Sequence, residues 1–338
     1  MIKGAIIGLG KMGLSHAALI GANPQVDLVS VCDTSSFVLS AFKRFSSVNT
    51  YNHYDEMIEK ENLDVVLVAT PTSFHYPIVK YALEKGLHVF CEKPFSLTSR
   101  EGEELVQLAK QKCLVTQVGY HNHFIGTFRL LKKLLKDGVL GELIHFTGEA
   151  YGPVVTKEKG ETWRSKPEEG GGCLYDYASH VLNLIQETIG HPIKARGSQL
   201  KRIYSKNVED AVYSILTLDN GVSGILSVNW SDETYRKMST SISAMGKKGK
   251  IICDATEIKI FLKEPNEIEG LDKGWTTKYI TDLAVPVNFY LRGEEYSAQI
   301  DHFVDCIMNK KQTACNTFEE GLYTDKVVEM IIQDSKNK

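Results

Sequence analysis

Apolar and polar positions follow two different styles along this chain, and the change comes about a third of the way in. "GAIIGLG" (4–10) is an apolar run closed by glycines, the pattern of a strand buried on both faces. "VDLVSVCD" (26–33), "LDVVLVATP" (63–71), "LHVFCEKP" (87–94) and "LVTQVGY" (114–120) predict further strands. Between them, "GLSHAALIGA", "SSFVLSAFKRF", "SFHYPIVKYALEKG" and "SLTSREGEELVQLAKQKC" carry helical spacing, and "TYNHYDEMIEKEN" predicts a short strand or turn and another helix. Strands alternating with helices imply βαβ units and a parallel sheet covered on both faces.

Beyond Gly119 the pattern changes. A long helix is predicted over 124–137, a strand over 141–152, a polar glycine-rich loop over 153–172 and a helix over 174–189. Strand patterns then follow in succession: "IKARGSQLKRI", "AVYSILTL", "VSGILSVNWS", "STSISAMG" and "GKIICDATEIKIFLKE". "DNG" (219–221) is a tight-hairpin signal between the second and third. This implies an α+β domain with an antiparallel sheet and helices on one face. Two helices close the chain, one over 294–309 and one starting at "TFEE", where Thr317 and Glu320 have capping-box spacing. The expected organisation is a first domain over 1–122, a second over 123–316, and a helix, 317–338, that returns to the first domain to bury its apolar stripe.

Bulk properties narrow the function classes. A length of 338 residues suggests two domains. A net charge of −3 without blocks of like charge gives no strong attraction to nucleic acid or acidic membranes. "RLLKKLLKDG" (129–138) reads as the solvated face of a helix. No apolar stretch approaches membrane-spanning length, and the opening run is too short for a signal peptide. Seven scattered cysteines without a CxxC pair fit a reducing cytoplasm and no metal site.

"GLGKMG" (8–13) is a G-x-G-x-x-G that directly follows a strand and opens a helix, the context that makes this pattern informative. Gly8 permits the tight turn, Gly10 lets backbone approach a pyrophosphate, and Gly13 lets helix and strand pack closely. Lys11 and Met12 lie within the loop. Asp33 ends the second strand, where an acid binds the ribose 2′-hydroxyl and repels a 2′-phosphate. No arginine follows it, so the reading favours NAD over NADP. Thr70, Pro71, Thr72 and His75 end the next crossover strand and are candidates to line the cofactor.

Catalytic candidates come from two places. "CEKP" lies on the same ligand edge. Lys93 there can contact the cofactor and polarise a hydroxyl or carbonyl oxygen, and Glu92 is read as holding either cofactor or turn. In "GGGCLYDYASHVLN" (170–183), Asp176 and His180 are four apart and share a helix face. A near-neutral imidazole suits removal of a hydroxyl proton, with Asp176 orienting substrate or ring.

Together, "GLGKMG", Asp33, "ATPTSFH", "EKP", "GY" (119–120), "WR" (163–164) and "GGG…D…H" resemble the glucose–fructose oxidoreductase / inositol dehydrogenase / MocA family over nearly the whole length. The resemblance implies an N-terminal Rossmann domain and a C-terminal α/β domain with an open, mostly antiparallel sheet. It also implies homodimers or homotetramers built by sheet-face packing. Lys93, Asp176 and His180 match the family's catalytic Lys–Asp–His set. The activity implied is NAD-dependent oxidation of a secondary alcohol in a sugar, sugar derivative, sugar nucleotide or cyclitol. An NAD-dependent glycosidase using transient oxidation and a cofactor-sensing regulator without turnover are the alternatives within the family. Tyr120, Asn122, His123, Trp163 and Arg164 are substrate-pocket candidates, and His123 stands where many members have arginine.

Overall fold

A computed structural model describes residues 1–158, 162–267, 269–313 and 315–337. Positions 159–161 of the expected polar loop, and residue 338 of the last helix, lie outside the described residues. The first stretch runs β1 (Ile2–Ile7), α1 (Lys11–Gly21), β2 (Val26–Cys32), α2 (Ser36–Phe45), β3 (Asn49–Tyr51), α3 (Tyr54–Lys60), β4 (Val65–Val68), α4 (His75–Glu84), β5 (His88–Cys91), α5 (Ser99–Gln111) and β6 (Thr116–Val118). The second begins with α6 (Gly126–Lys136), β7 (Leu143–Tyr151) and α7 (Ser179–Thr188). It continues through β8 (Pro192–Lys201), β9 (Ala211–Leu218), β10 (Ser223–Asn229), β11 (Ser239–Gly246), β12 (Gly249–Asp254), β13 (Glu257–Leu262), β14 (Gly274–Tyr279) and α8 (Ile280–Leu283). α9 (Glu294–Met308) and α10 (Phe318–Lys336) close the chain.

The six strands of the first sheet are parallel and ordered β3-β2-β1-β4-β5-β6. This is the doubly wound Rossmann order, with its switch point between β1 and β4. β4 is buried at every position, which is why its sequence reads as an unbroken run of β-branched and aliphatic residues. The second sheet has eight strands in the order β14-β13-β12-β11-β7-β10-β9-β8. Its pairs are antiparallel except for β7 with β10. The "DNG" turn closes the β9–β10 hairpin, with Gly221 at φ +84°. β14 and α8 carried no readable signal.

The chain forms two compact units, 1–121 with 286–323 and 122–285 with 324–338. Residues 286–316 therefore join the first unit rather than the expected second domain. The cause is α9, whose Ile300, Phe303 and Val304 complete the apolar core formed by Ile6, Leu19 and Phe90. Phe318 and Leu322 of α10 lie in the other core of that unit, and Phe318 packs on Phe95 with ring centroids 4.4 Å apart. The capping box is present: Thr317 N–H donates to Glu320 Oε2 at 2.8 Å, and Glu320 N–H donates to Thr317 Oγ1 at 3.2 Å. The remainder of α10 belongs to the second unit, where Ser198 N–H donates to Asp334 Oδ2 at 2.7 Å. Among the described residues, no helix is long and apolar enough to cross a membrane, and no cluster of ligating side chains suits a metal ion.

Candidate active site

In the first unit, the glycine loop is fastened before any ligand arrives. Gly8 has φ +93°, and a Cβ there would lie 2.7 Å from the Ala69 carbonyl oxygen. A Cβ on Gly13 would lie 1.7 Å from the Gly8 carbonyl oxygen, so helix α1 cannot approach the loop with any other residue. Gly10 is different: nothing lies within 4 Å of its added Cβ. That open space faces the start of α1, whose first turn has no side-chain cap. Free N–H groups and a positive helix end next to a Cβ-less gap suit a pyrophosphate.

Asp33 spans the two loops of this edge. Its Oδ2 accepts from Leu9 N–H at 2.7 Å and its Oδ1 from Ser35 N–H at 2.8 Å. A carboxylate has about four acceptor positions, so lone pairs remain for two ribose hydroxyls. Lys11 is exposed and Met12 half-buried at the loop's outer side. Thr70 places a buried Oγ1, without a hydrogen-bond partner among the described residues, at the same edge, beside half-buried Pro71 and buried Thr72. The residues present therefore fit an NAD-type dinucleotide.

His75 differs from expectation. It is fully buried, with Nδ1 2.9 Å from the Pro94 carbonyl oxygen and Nε2 3.0 Å from that of Thr70. Burial lowers its pKa despite these acceptors, so the ring is neutral and has one N–H to give. With one N–H it donates to only one of these carbonyls, and it lies buried between the Thr70 loop and the Lys93 turn. Glu92 is also buried, with its carboxylate on His16 and on the Lys93 N–H at 3.2 Å. Tyr120 is 1% exposed in the unit's core, and its carbonyl accepts from Asn316 Nδ2 at 2.8 Å. Both were candidates to meet ligand directly. Their polar surroundings in the sequence concealed how deeply they pack.

His121, which the sequence did not single out, stacks on Tyr296 with centroids 4.5 Å apart. Burial pushes its pKa down to about 4, opposed by the Glu92 charge. The sign follows from linkage: a base depressed in the fold contributes stability above its unfolded value of about 6.5, and that stability is lost as pH falls toward 4. The ring retains partial solvent access, so the effect is on the order of 1–2 kcal/mol. Urea titrations of His121→Phe at a series of pH values are expected to show a flatter stability profile over that window than the unmodified chain.

In the second unit, Asp176 and His180 are 7% and 4% exposed. The turn at 174–178 that carries Asp176 is a π-helix leading into α7. Such turns are uncommon and recur at functional sites. Arg164 Nε donates to Asp176 Oδ2 at 3.1 Å while its guanidinium lies 4.4 Å over the Trp163 ring. Arg164 thus holds Asp176 through Nε, and its guanidinium packs over Trp163. His123 sits against α7, with Nε2 2.8 Å from Asn183 Oδ1 and Nδ1 3.8 Å from Glu187 Oε1. Asn122 is 4% exposed, and its Nδ2 has no hydrogen-bond partner among the described residues.

Glu209 is a second residue the sequence left unnoticed. Its Oε1 accepts from Leu174 N–H at 2.9 Å, and a Cβ on Gly172 would lie 2.4 Å from that oxygen. The glycine run before the π-turn makes room for this remote carboxylate, which caps the start of the segment bearing Asp176. Burial raises the Glu209 pKa, against the Leu174 hydrogen bond that lowers it.

Comparison with known proteins agrees with this architecture. Residues 2–120 match the family model described as an oxidoreductase family with an NAD-binding Rossmann fold, and residues 128–252 match the GFO/IDH/MocA C-terminal domain. The class is that of Rossmann-fold, NAD-binding oxidoreductases. Within it, the chain belongs to the GFO/IDH/MocA family. An uncharacterized oxidoreductase of Schizosaccharomyces pombe is 31% identical over 221 residues, which cover 64% of this chain and 59% of that relative. The chain thus spans about six tenths of that protein's length. The scyllo-inositol 2-dehydrogenase (NAD(+)) of Bacillus subtilis is 22% identical over 317 residues, covering 92% of this chain and 87% of the relative. Levoglucosan dehydrogenase in complex with NADH superposes with a TM-score of 0.89 at 20% identity, covering 99% of this chain and 97% of that structure.

Proposed function

We propose that the chain is an NAD-dependent dehydrogenase acting on a secondary alcohol of a sugar, sugar derivative or cyclitol. The observation that carries this reading is the preformed cradle: Asp33 tied to Leu9 N–H at 2.7 Å beside the uncapped start of α1. The chemistry expected of the nicotinamide is acceptance of a hydride from the carbinol carbon. His180 takes the hydroxyl proton, and the Lys93 ammonium donates to the reacting oxygen. Asp176, held by Arg164 at 3.1 Å, orients the imidazole or a substrate hydroxyl. The dehydrogenase names of relatives support a polyhydroxylated substrate.

The test is a panel of sugars, cyclitols and sugar nucleotides with NAD and NADP separately, followed by absorbance of reduced nicotinamide. Net reduction with NAD is expected, with NADP at least ~10-fold poorer because the Asp33 carboxylate repels a 2′-phosphate. A clear preference for NADP sinks the role given to Asp33. Substrate cleavage without net reduction supports the glycosidase reading instead. NAD binding without any turnover supports the regulator.

The second unit also supports assembly into a homodimer or homotetramer through its sheet. Ile215 and Ile225 are cross-strand partners, 52% and 45% exposed. Met245 and Ile252 add apolar surface at 41% and 37% exposure. Light scattering on the purified chain tests this, and a concentration-independent monomer overturns it.

A further inference from the structure

The first unit contains a buried acid–imidazole pair that the proposed chemistry does not use. His16 lies on α1, is 0% exposed, and places Nε2 2.6 Å from Glu92 Oε1. Among the described residues its Nδ1 has no hydrogen-bond partner, and Nε2 carries the proton toward Glu92. Phe90 meets the ring edge-on at 5.1 Å, and Phe303 packs behind Phe90 at 5.8 Å. An aliphatic or aromatic residue would fill this position without an unsatisfied nitrogen. The imidazole is therefore there for the carboxylate.

The carboxylate is equally specialised. Oε2 accepts from the Lys93 N–H at 3.2 Å. A Cβ on Gly119 would lie 2.9 Å from that oxygen, so a glycine is needed to admit the group. Burial alone would raise the Glu92 pKa, but the hydrogen bond from His16 and the positive charge of Lys93 outweigh it, and the pKa is lowered. Glu92 thus remains ionised in the interior, linked at one oxygen to the helix that opens on the phosphate site and at the other to the backbone of the proposed catalytic lysine.

We propose that His16 and Glu92 are a positioning pair that fixes the Lys93 turn to helix α1, so that occupancy of the dinucleotide cradle orders Lys93. Glu92 acts through Lys93 and does not touch the cofactor. The role in turnover rests on the dehydrogenase reading, but the mechanical link does not, and the experiment separates them.

Hydrogen exchange by mass spectrometry is measured on the unmodified chain, His16→Ala, His16→Gln and Glu92→Gln, each with and without NADH. In the unmodified chain, NADH is expected to slow exchange both in 8–16 and in 92–98. His16→Ala is expected to exchange faster in 92–98 without ligand, and to lose the NADH effect there while keeping it in 8–16. His16→Gln retains a donor near the Nε2 position and is expected to restore at least half of the effect. With an active substrate, His16→Ala and Glu92→Gln should each lower kcat at least ~10-fold with NADH affinity changed less than ~3-fold, and the double variant should be no worse than either. Unaltered exchange of 92–98 in unliganded His16→Ala overturns the proposal, whether or not NADH binds. So does loss of NADH binding in Glu92→Gln alone, which would make Glu92 a cofactor ligand. An absence of turnover with every sugar tested, but with the exchange pattern above, sinks the dehydrogenase reading and leaves the positioning pair standing.

Discussion

Replacing Lys93 with methionine is expected to lower kcat by ~10²–10⁴-fold while changing NADH affinity by less than ~3-fold. Methionine keeps the unbranched stem and removes the charge and its donors, so the loss reports the ammonium alone. The expectation rests on how firmly the backbone around Lys93 is held. Its N–H is bonded to Glu92 at 3.2 Å, the Pro94 carbonyl oxygen lies 2.9 Å from His75 Nδ1, and Phe95 is fully buried against Phe318. The constrained turn fixes where the half-buried side chain starts, and its flexible stem leaves the ammonium to be ordered by bound ligand. Lys93→Arg should recover little, because a planar fork cannot place its charge where a compact ammonium sat. Steady-state rates at 340 nm and NADH fluorescence titrations measure both halves. A Lys93→Met rate within ~3-fold of the unmodified chain removes Lys93 from the chemistry.

What could be read from sequence was what lies close together along the chain. The glycine loop and the Thr317/Glu320 cap depend on residues a few positions apart, and Asp33 follows the loop at a fixed spacing one βα unit on, so spacing alone exposes them. The β9–β10 hairpin was legible for the same reason. The interactions that support the site are not local. His16 meets Glu92 across 76 residues, and Glu209 reaches Leu174 across 35. A lone histidine on the otherwise apolar "HAALIGA" face was the signal for the first, and a paired "ED" before a strand for the second. Neither sequence cue names its partner. His75 shows the converse, since a polar residue at a ligand edge can lie buried between backbone carbonyls. The parallel β7–β10 pair was also hidden, because periodicity reports which face of a strand is buried and says nothing about its neighbour.

Removing the imidazole of His180 should cost as much as removing the Lys93 ammonium, with a different signature. His180 lies in the first turn of α7, and the next residue, Val181, faces Gly148 of β7 together with Ile185. Their side-chain atoms would lie 2.7 and 2.8 Å from a Cβ on Gly148, so that glycine lets α7 seat closely on the sheet and fixes where the ring can be. The π-turn before it, capped by Glu209 at 2.9 Å, sets Asp176 on the same segment. His180→Ala is expected to lower kcat by ~10²–10⁴-fold, leave NADH binding intact, and abolish the low-pH limb of the kcat profile, because the group whose protonation stops proton removal is gone. Asp176→Asn should keep that limb and lose less, since an amide can still accept from Arg164 but no longer stabilises a protonated ring. The two profiles together separate base from orienting group. If His180→Ala retains the limb, another group takes the hydroxyl proton. If Asp176→Asn loses the limb and His180→Ala does not, the roles of the two residues are exchanged.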